Sequence, residues 1–81
     1  MHKGIKNMKL KIIGNNQTEI TTKEGVQLLF SYETLVAART MKNVYVTKTK
    51  YSNTTTKHIN KWLNGLDYEL VKQDQLDETF N

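Results

Sequence analysis

The sequence predicts an α+β fold: a small antiparallel sheet of four to six strands with one amphipathic helix, at about residues 54–64, packed on a face. Three features predict it. Short apolar stretches alternate with polar residues at period two and are broken by Gly- and Asn-containing turn signals. Threonine occurs eleven times and asparagine eight, while proline is absent; branched Thr suits strands and Asn suits turns. A single segment carries apolar residues at helical spacing. Eighty-one residues make one domain, read as 1–81 with residues 1–7 and 72–81 as frayed tails.

The elements follow in order. Met8-Lys9-Leu10-Lys11-Ile12 alternates apolar and cationic, which predicts a half-buried strand with Met8, Leu10 and Ile12 inward. Gly14-Asn15-Asn16 is a turn signal. Thr18 to Thr22 is a short strand closed by Lys23-Glu24-Gly25. Val26 to Phe30 is the most apolar strand, with Val26, Leu28 and Phe30 on one face. Ser31-Tyr32-Glu33-Thr34 is a bulge or a loose turn, after which Leu35 to Ala38 resumes extended structure. Lys42-Asn43 reads as a two-residue hairpin loop, because Asn tolerates positive φ. Val44 to Tyr51 is a long strand with no cleanly apolar face, which places it near a sheet edge. Ile59, Trp62, Leu63 and Leu66 form the helix stripe, opposite Lys57, Asn60, Lys61 and Asn64. Asn53, Thr54 or Thr55 supplies the N-cap, and Gly65 stands at the C-cap. Tyr68 to Val71 forms a last short strand. Asp74 to Phe80 forms a turn of helix or frays.

Composition excludes several classes. No cysteine means no disulfide, thiolate metal site or thiol nucleophile. No apolar run approaches the ~20 residues of a membrane span. The first eight residues are basic without an apolar stretch behind them, so no secretory signal is expected, and a reducing cytoplasm is the expected compartment. The net charge of +4 is divided unevenly. Residues 1–61 hold eleven Lys/Arg and three acids; residues 62–81 hold one Lys and five acids. Such a tail either screens the basic body or competes with a polyanion for it.

The chemistry-bearing residues are few. Ser52, His58 and Glu33 form a triad only on paper, since nothing resembles a nucleophile elbow. There is no P-loop, dinucleotide fingerprint or HExxH, so no catalytic residue, cofactor or metal is assigned. His58 lies on the edge of the helix stripe. It either packs on Trp62 and bonds a backbone group, or contacts a phosphate or a partner's acid. Trp62 falls inside the stripe and reads as core. Lys9, Lys11, Lys48, Lys50, Lys57 and Lys61, interleaved with Tyr45 and Tyr51 and joined by Thr54 and His58, form the candidate surface for a partner or a nucleic acid. The 44–51 strand, if an edge, also offers a route to a homodimer.

Ser31-Tyr32-Glu33-Thr34-Leu35-Val36-Ala37 and Tyr51-Ser52-Asn53-Thr54-Thr55-Thr56-Lys57-His58-Ile59-Asn60-Lys61-Trp62-Leu63 resemble a family of short, uncharacterised proteins of tailed phages and prophages of Gram-positive bacteria. That family shows a Ser-Tyr-x-Thr-x-Val-Ala stretch, then Tyr-Ser-x-Thr-Thr-x-x-His-Ile-Asn opening a helix. Ile12-Ile13-Gly14-Asn15 is also similar, and the likeness spans roughly residues 8–66. The resemblance implies a phage or prophage accessory protein in the bacterial cytoplasm and no particular activity. Joined to the small size, the absence of catalytic motifs and the split charge, it leads to the expectation of a non-enzymatic protein that binds and inhibits or redirects a host protein or ribonucleoprotein, for example as an anti-defence or anti-CRISPR-like inhibitor. The alternative is direct DNA or RNA binding by the basic body. The polar residues of the motif either hold the strand–helix junction together or form a binding patch there.

Overall fold

A strand apolar on successive residues needs cover on both faces. Leu28-Leu29-Phe30 and Leu35-Val36-Ala37-Ala38 are such runs. In the computed structural model, which describes residues 9–80, six strands form one sheet between two helices. The strands are β1 (Lys9–Gly14), β2 (Gln17–Thr21), β3 (Gln27–Ser31), β4 (Thr34–Arg39), β5 (Val44–Thr47) and β6 (Glu69–Val71). The helices are α1 (Asn53–Leu63) and α2 (Gln73–Phe80). The strands lie in sequence order across the sheet. β1 to β5 pair antiparallel, and β6 pairs parallel with β5 after the α1 crossover. The fold is therefore α+β with a mostly antiparallel sheet, but three-layered, with a helix on each face.

The two cores divide the strands by side. Leu29, Val36, Ala37 and Val46 meet Leu63, with Ile59 and Trp62 of α1 packed alongside. Leu28, Leu35, Ala38 and Val71 meet Leu76 of α2, with Tyr45 and Phe80 packed alongside. Alternation slips inside β4: Leu29 pairs with Ala37 but Phe30 pairs with Leu35, so Val36 is the extra residue of a bulge. The bulge puts Val36 and Ala37 on the α1 side and leaves Leu35 and Ala38 on the α2 side, which buries all four.

Several expectations are corrected here. Val44–Tyr51 is not an edge. The strand ends at Thr47 and is bonded by β4 on one side and β6 on the other. A homodimer by strand pairing through 44–51 has no free backbone to use. Three-residue β6 carries too little pattern to announce that cover in the sequence. Leu10 and Ile12 are not inward: they are 65% and 75% exposed. Leu10 pairs with Ile20 and through it with Leu28, on the α2 side, but α2 packs on β4 and β5 and leaves β1 uncovered. The expectations for Met8 and for the tail 1–7 lie outside the described residues. The 40–43 connection is a four-residue loop, not a Lys42-Asn43 turn. The Thr40 hydroxyl accepts from the Lys42 and Asn43 N–H groups and closes it without a positive φ. Ser31–Thr34 is a two-residue hairpin turn through Tyr32 and Glu33.

The frayed tail expected over 72–81 is replaced at 73–80 by α2. Leu76 is 1% exposed, and Phe80 lies 5.9 Å, ring to ring, from Tyr45. Gln73 Nε2 donates to the Leu35 carbonyl at 2.8 Å, which pins the helix start to β4. One face of the sheet would otherwise be bare, so α2 is structural. Leu76→Ala is expected to cost about 2–5 kcal/mol, measured by urea denaturation. A change within about 0.5 kcal/mol, the usual range for surface positions, would mean that the tail is not docked.

Candidate functional site

α1 begins where a polar residue accepts the first free N–H groups. That residue is Ser52, not Asn53, Thr54 or Thr55: its Oγ accepts from the Thr55 N–H at 3.1 Å. The helix ends at Leu63 with Asn64 and Gly65 both at positive φ (49° and 86°), so Asn64 shares the stop with the predicted Gly65.

Thr55 is the hub of the junction. Its Oγ1 lies 3.3 Å from Ser52 Oγ and 2.9 Å from Ser31 Oγ, and Ser31 Oγ lies 2.8 Å from His58 Nδ1. Ser31, Thr55 and His58 are all buried. Ser52 donates to Thr55 Oγ1, and the Ser31 hydroxyl bridges Thr55 Oγ1 and His58 Nδ1. The two halves of the sequence motif, 21 residues apart between Ser31 and Ser52, are thus joined through hydroxyls.

His58 does not pack on Trp62. It pairs with Ser31, and its ring is 6.2 Å from that of Tyr32. The paper triad of Ser52, His58 and Glu33 is not assembled: Ser52 caps α1, and the serine bonded to His58 is Ser31, 2% exposed at the end of β3. Trp62 is anchored elsewhere. Its Nε1 donates to Glu19 Oε1 at 2.8 Å, and the Arg39 guanidinium, held by Gln27, lies 5.9 Å over its ring. Trp62 is half-buried and packs against the α1-side core without being one of its buried members, and these two contacts engage its exposed part.

The remaining candidates divide by face. Lys11 pairs with Glu19 and Glu19 with Leu29, and Lys9 reaches Gln27 through Thr21, so both lysines are on the α1 side. Thr54, Lys57 and Lys61 are exposed on α1. Lys48 and Lys50 are exposed in the loop before it, and they line a depression of about 150 Å³ together with Thr56 and Asn60. Tyr51 is 46% exposed. Tyr45 is removed from the set: it points to the opposite face, against Phe80, because its neighbours Val44 and Val46 take the α1 side. The residues that sequence reasoning missed are Ser31 and Glu19. Ser31 opened the first motif, which was a usable signal; Glu19 sat in a weak strand and gave none. Tyr32 is 51% exposed with φ of 60°, at the tip of the β3–β4 hairpin, where its N–H donates to the Asn16 carbonyl.

The geometry defines a class: a small three-layer α+β domain with a hydroxyl-locked hairpin–helix junction and an uncovered sheet edge. Among the described residues no helix is long and apolar enough to cross a membrane, and no three metal-ligating side chains gather. Residues 8–78 match the model of a family of unknown function, DUF8033, and the chain belongs to that family. No curated protein and no solved structure matches.

Ser31→Ala removes a buried hydroxyl from two partners. A loss of about 1–3 kcal/mol is expected, read by thermal or urea unfolding. Ser52→Ala is expected to cost about 1 kcal/mol through the cap. Both variants unfolding like the parent would show that the junction does not hold α1.

Proposed function

We propose that this protein is a non-enzymatic accessory protein of phage or prophage type, acting in the bacterial cytoplasm by binding a host protein or ribonucleoprotein and inhibiting or redirecting it. The phage assignment rests on the likeness of residues 31–37 and 51–60 to such proteins, and the anti-defence role is one form that redirection takes.

The observation that carries the binding reading is the β1 edge. β1 pairs only with β2 among the described residues, so its outer N–H and C=O groups are open to another strand. Edges are blunted by charge, by bulges or by cover. Lys9 and Lys11 supply charge on the α1 side and the pairing shifts register between Ile12 and Gly14, but Leu10 and Ile12 stand exposed on the other side. A strand added by a partner gains backbone bonds along the edge and apolar contact with these two side chains. Among the described residues the Ser31–His58 contact is buried and has no carboxylate partner, which fits a binding role.

The test is affinity purification from a host lysate, with and without nuclease, using the parent and a Leu10→Lys/Ile12→Lys variant. Both side chains are exposed, so the variant is expected to fold. The expected result is a protein partner captured by the parent and lost in the variant, with nuclease resistance separating a protein target from a ribonucleoprotein. Capture that is unaltered by the variant, or no partner above background, would overturn the reading.

A further inference from the structure

A second surface is built separately from the β1 edge. From Thr34 to Leu66 the chain has no acidic residue, and it carries Arg39, Lys42, Lys48, Lys50, Lys57 and Lys61. The fold concentrates the last four around α1. α2 on the opposite face carries Asp74, Asp77 and Glu78 and no Lys or Arg. Glu69 shares that face, since it alternates with Leu70 and agrees with Val71, whose side chain meets Leu76. The sheet therefore separates a cationic helix from an anionic one.

The aromatic residues sort in the same way. Tyr45 and Trp62 are occupied, as described above. Tyr32, Tyr51 and Tyr68 remain 51%, 46% and 51% exposed, and of these Tyr32 and Tyr51 are tied to α1 through Thr55. Tyr32 follows Ser31 and Tyr51 precedes Ser52, and both serines contact the Thr55 hydroxyl. The buried hydroxyls thus fix two outward tyrosines at one end of a cationic helix. Tyr32 holds its place at a positive φ that a non-glycine residue adopts only at a cost. A depression bounded by Asn16, Tyr32, Glu33 and Thr34 opens beside its ring.

We propose that this surface binds single-stranded nucleic acid, with bases stacked on Tyr32 and Tyr51 and the backbone phosphates held by Lys48, Lys50, Lys57 and Lys61. Aromatic platforms flanked by cations are what an unpaired strand requires, because every base has a π-face and every link a negative charge. A duplex offers no free base face to the tyrosines. An acidic protein would use the lysines and leave the tyrosines idle. Glu33, the one carboxylate at the hairpin tip, repels phosphate and accepts from base N–H groups, so it orients the strand with its bases toward Tyr32. The acidic α2 side faces away from the polyanion.

The test is fluorescence anisotropy with labelled 20-mer oligothymidine and oligouridine, and with a 20-base-pair duplex, across a salt series. The expected result is that the single strands bind more tightly than the duplex. Tyr32→Gly and Tyr51→Ala are each expected to lower single-strand affinity about 5- to 150-fold. Tyr32→Gly accepts the positive φ and keeps the hairpin, so loss of binding with an unchanged melting curve separates recognition from folding. Lys57→Gln/Lys61→Gln is expected to flatten the salt dependence by about two phosphate contacts. Absence of binding at low salt, duplex preference, indifference to the tyrosine variants, or equal competition by polyglutamate would each overturn the proposal; the last would assign the surface to acidic proteins.

Discussion

The contact on which the rest depends is the hydroxyl bridge from Ser31 through Thr55. It is the polar link between the end of β3 and the first turn of α1, and it is made without water at positions nearly sealed from solvent. α1 needs such a link. Its apolar stripe is short, with Leu63 buried and Ile59 and Trp62 half-buried, and its outward face is all amide, hydroxyl and ammonium. Apolar burial fixes which side of the helix faces the sheet but discriminates weakly between positions along its axis. The Ser31–Thr55–His58 bonds set that position at one end, and the Glu19–Trp62 bond sets it at the other. Hydrogen bonds buried in this way are costly to break, because the partner left behind cannot recover water.

A second constraint is arithmetic. A sheet whose middle strands are apolar on both faces must find two covering layers from 81 residues. Among the described residues one helix packs on each face, α2 packs on β4 and β5, and Leu10 and Ile12 of β1 stay exposed. The division of charge along the sequence becomes a division across the sheet, because the acid-free stretch builds α1 and the acidic C-terminal stretch builds α2.

Much of the fold is legible in the sequence where the physics is local. The short Thr18–Thr22 stretch, the apolar run of β3, the Gly14-Asn15-Asn16 turn and the Ile59/Trp62/Leu63 stripe each announce an element within a residue or two of its observed place. Non-local facts are not legible. That β5 is interior depends on β6, three residues contributed from beyond a helix. That Leu10 faces water depends on how far α2 reaches. The bulge at Val36 is invisible because an apolar run of four gives no phase. At the candidate site, the lysines and Tyr51 can be read from charge and spacing. The role of Ser31 depends on a partner 24 residues away, and Tyr45 changed sides because its face is set by the phase of Val44 and Val46. His58 is an intermediate case: its structural role was anticipated, but with the wrong partner.

Both surfaces belong to one view of the molecule, a scaffold whose buried polar groups position exposed residues for contact with macromolecules. The most direct measurement is an NMR titration of the uniformly ¹⁵N-labelled protein with oligothymidine, followed by amide shifts. The account predicts shifts concentrated at Tyr32, Glu33, Lys48 to Tyr51 and along α1, with α2 unmoved. Spectra that do not change at saturating oligonucleotide, or shifts centred on α2, would contradict it.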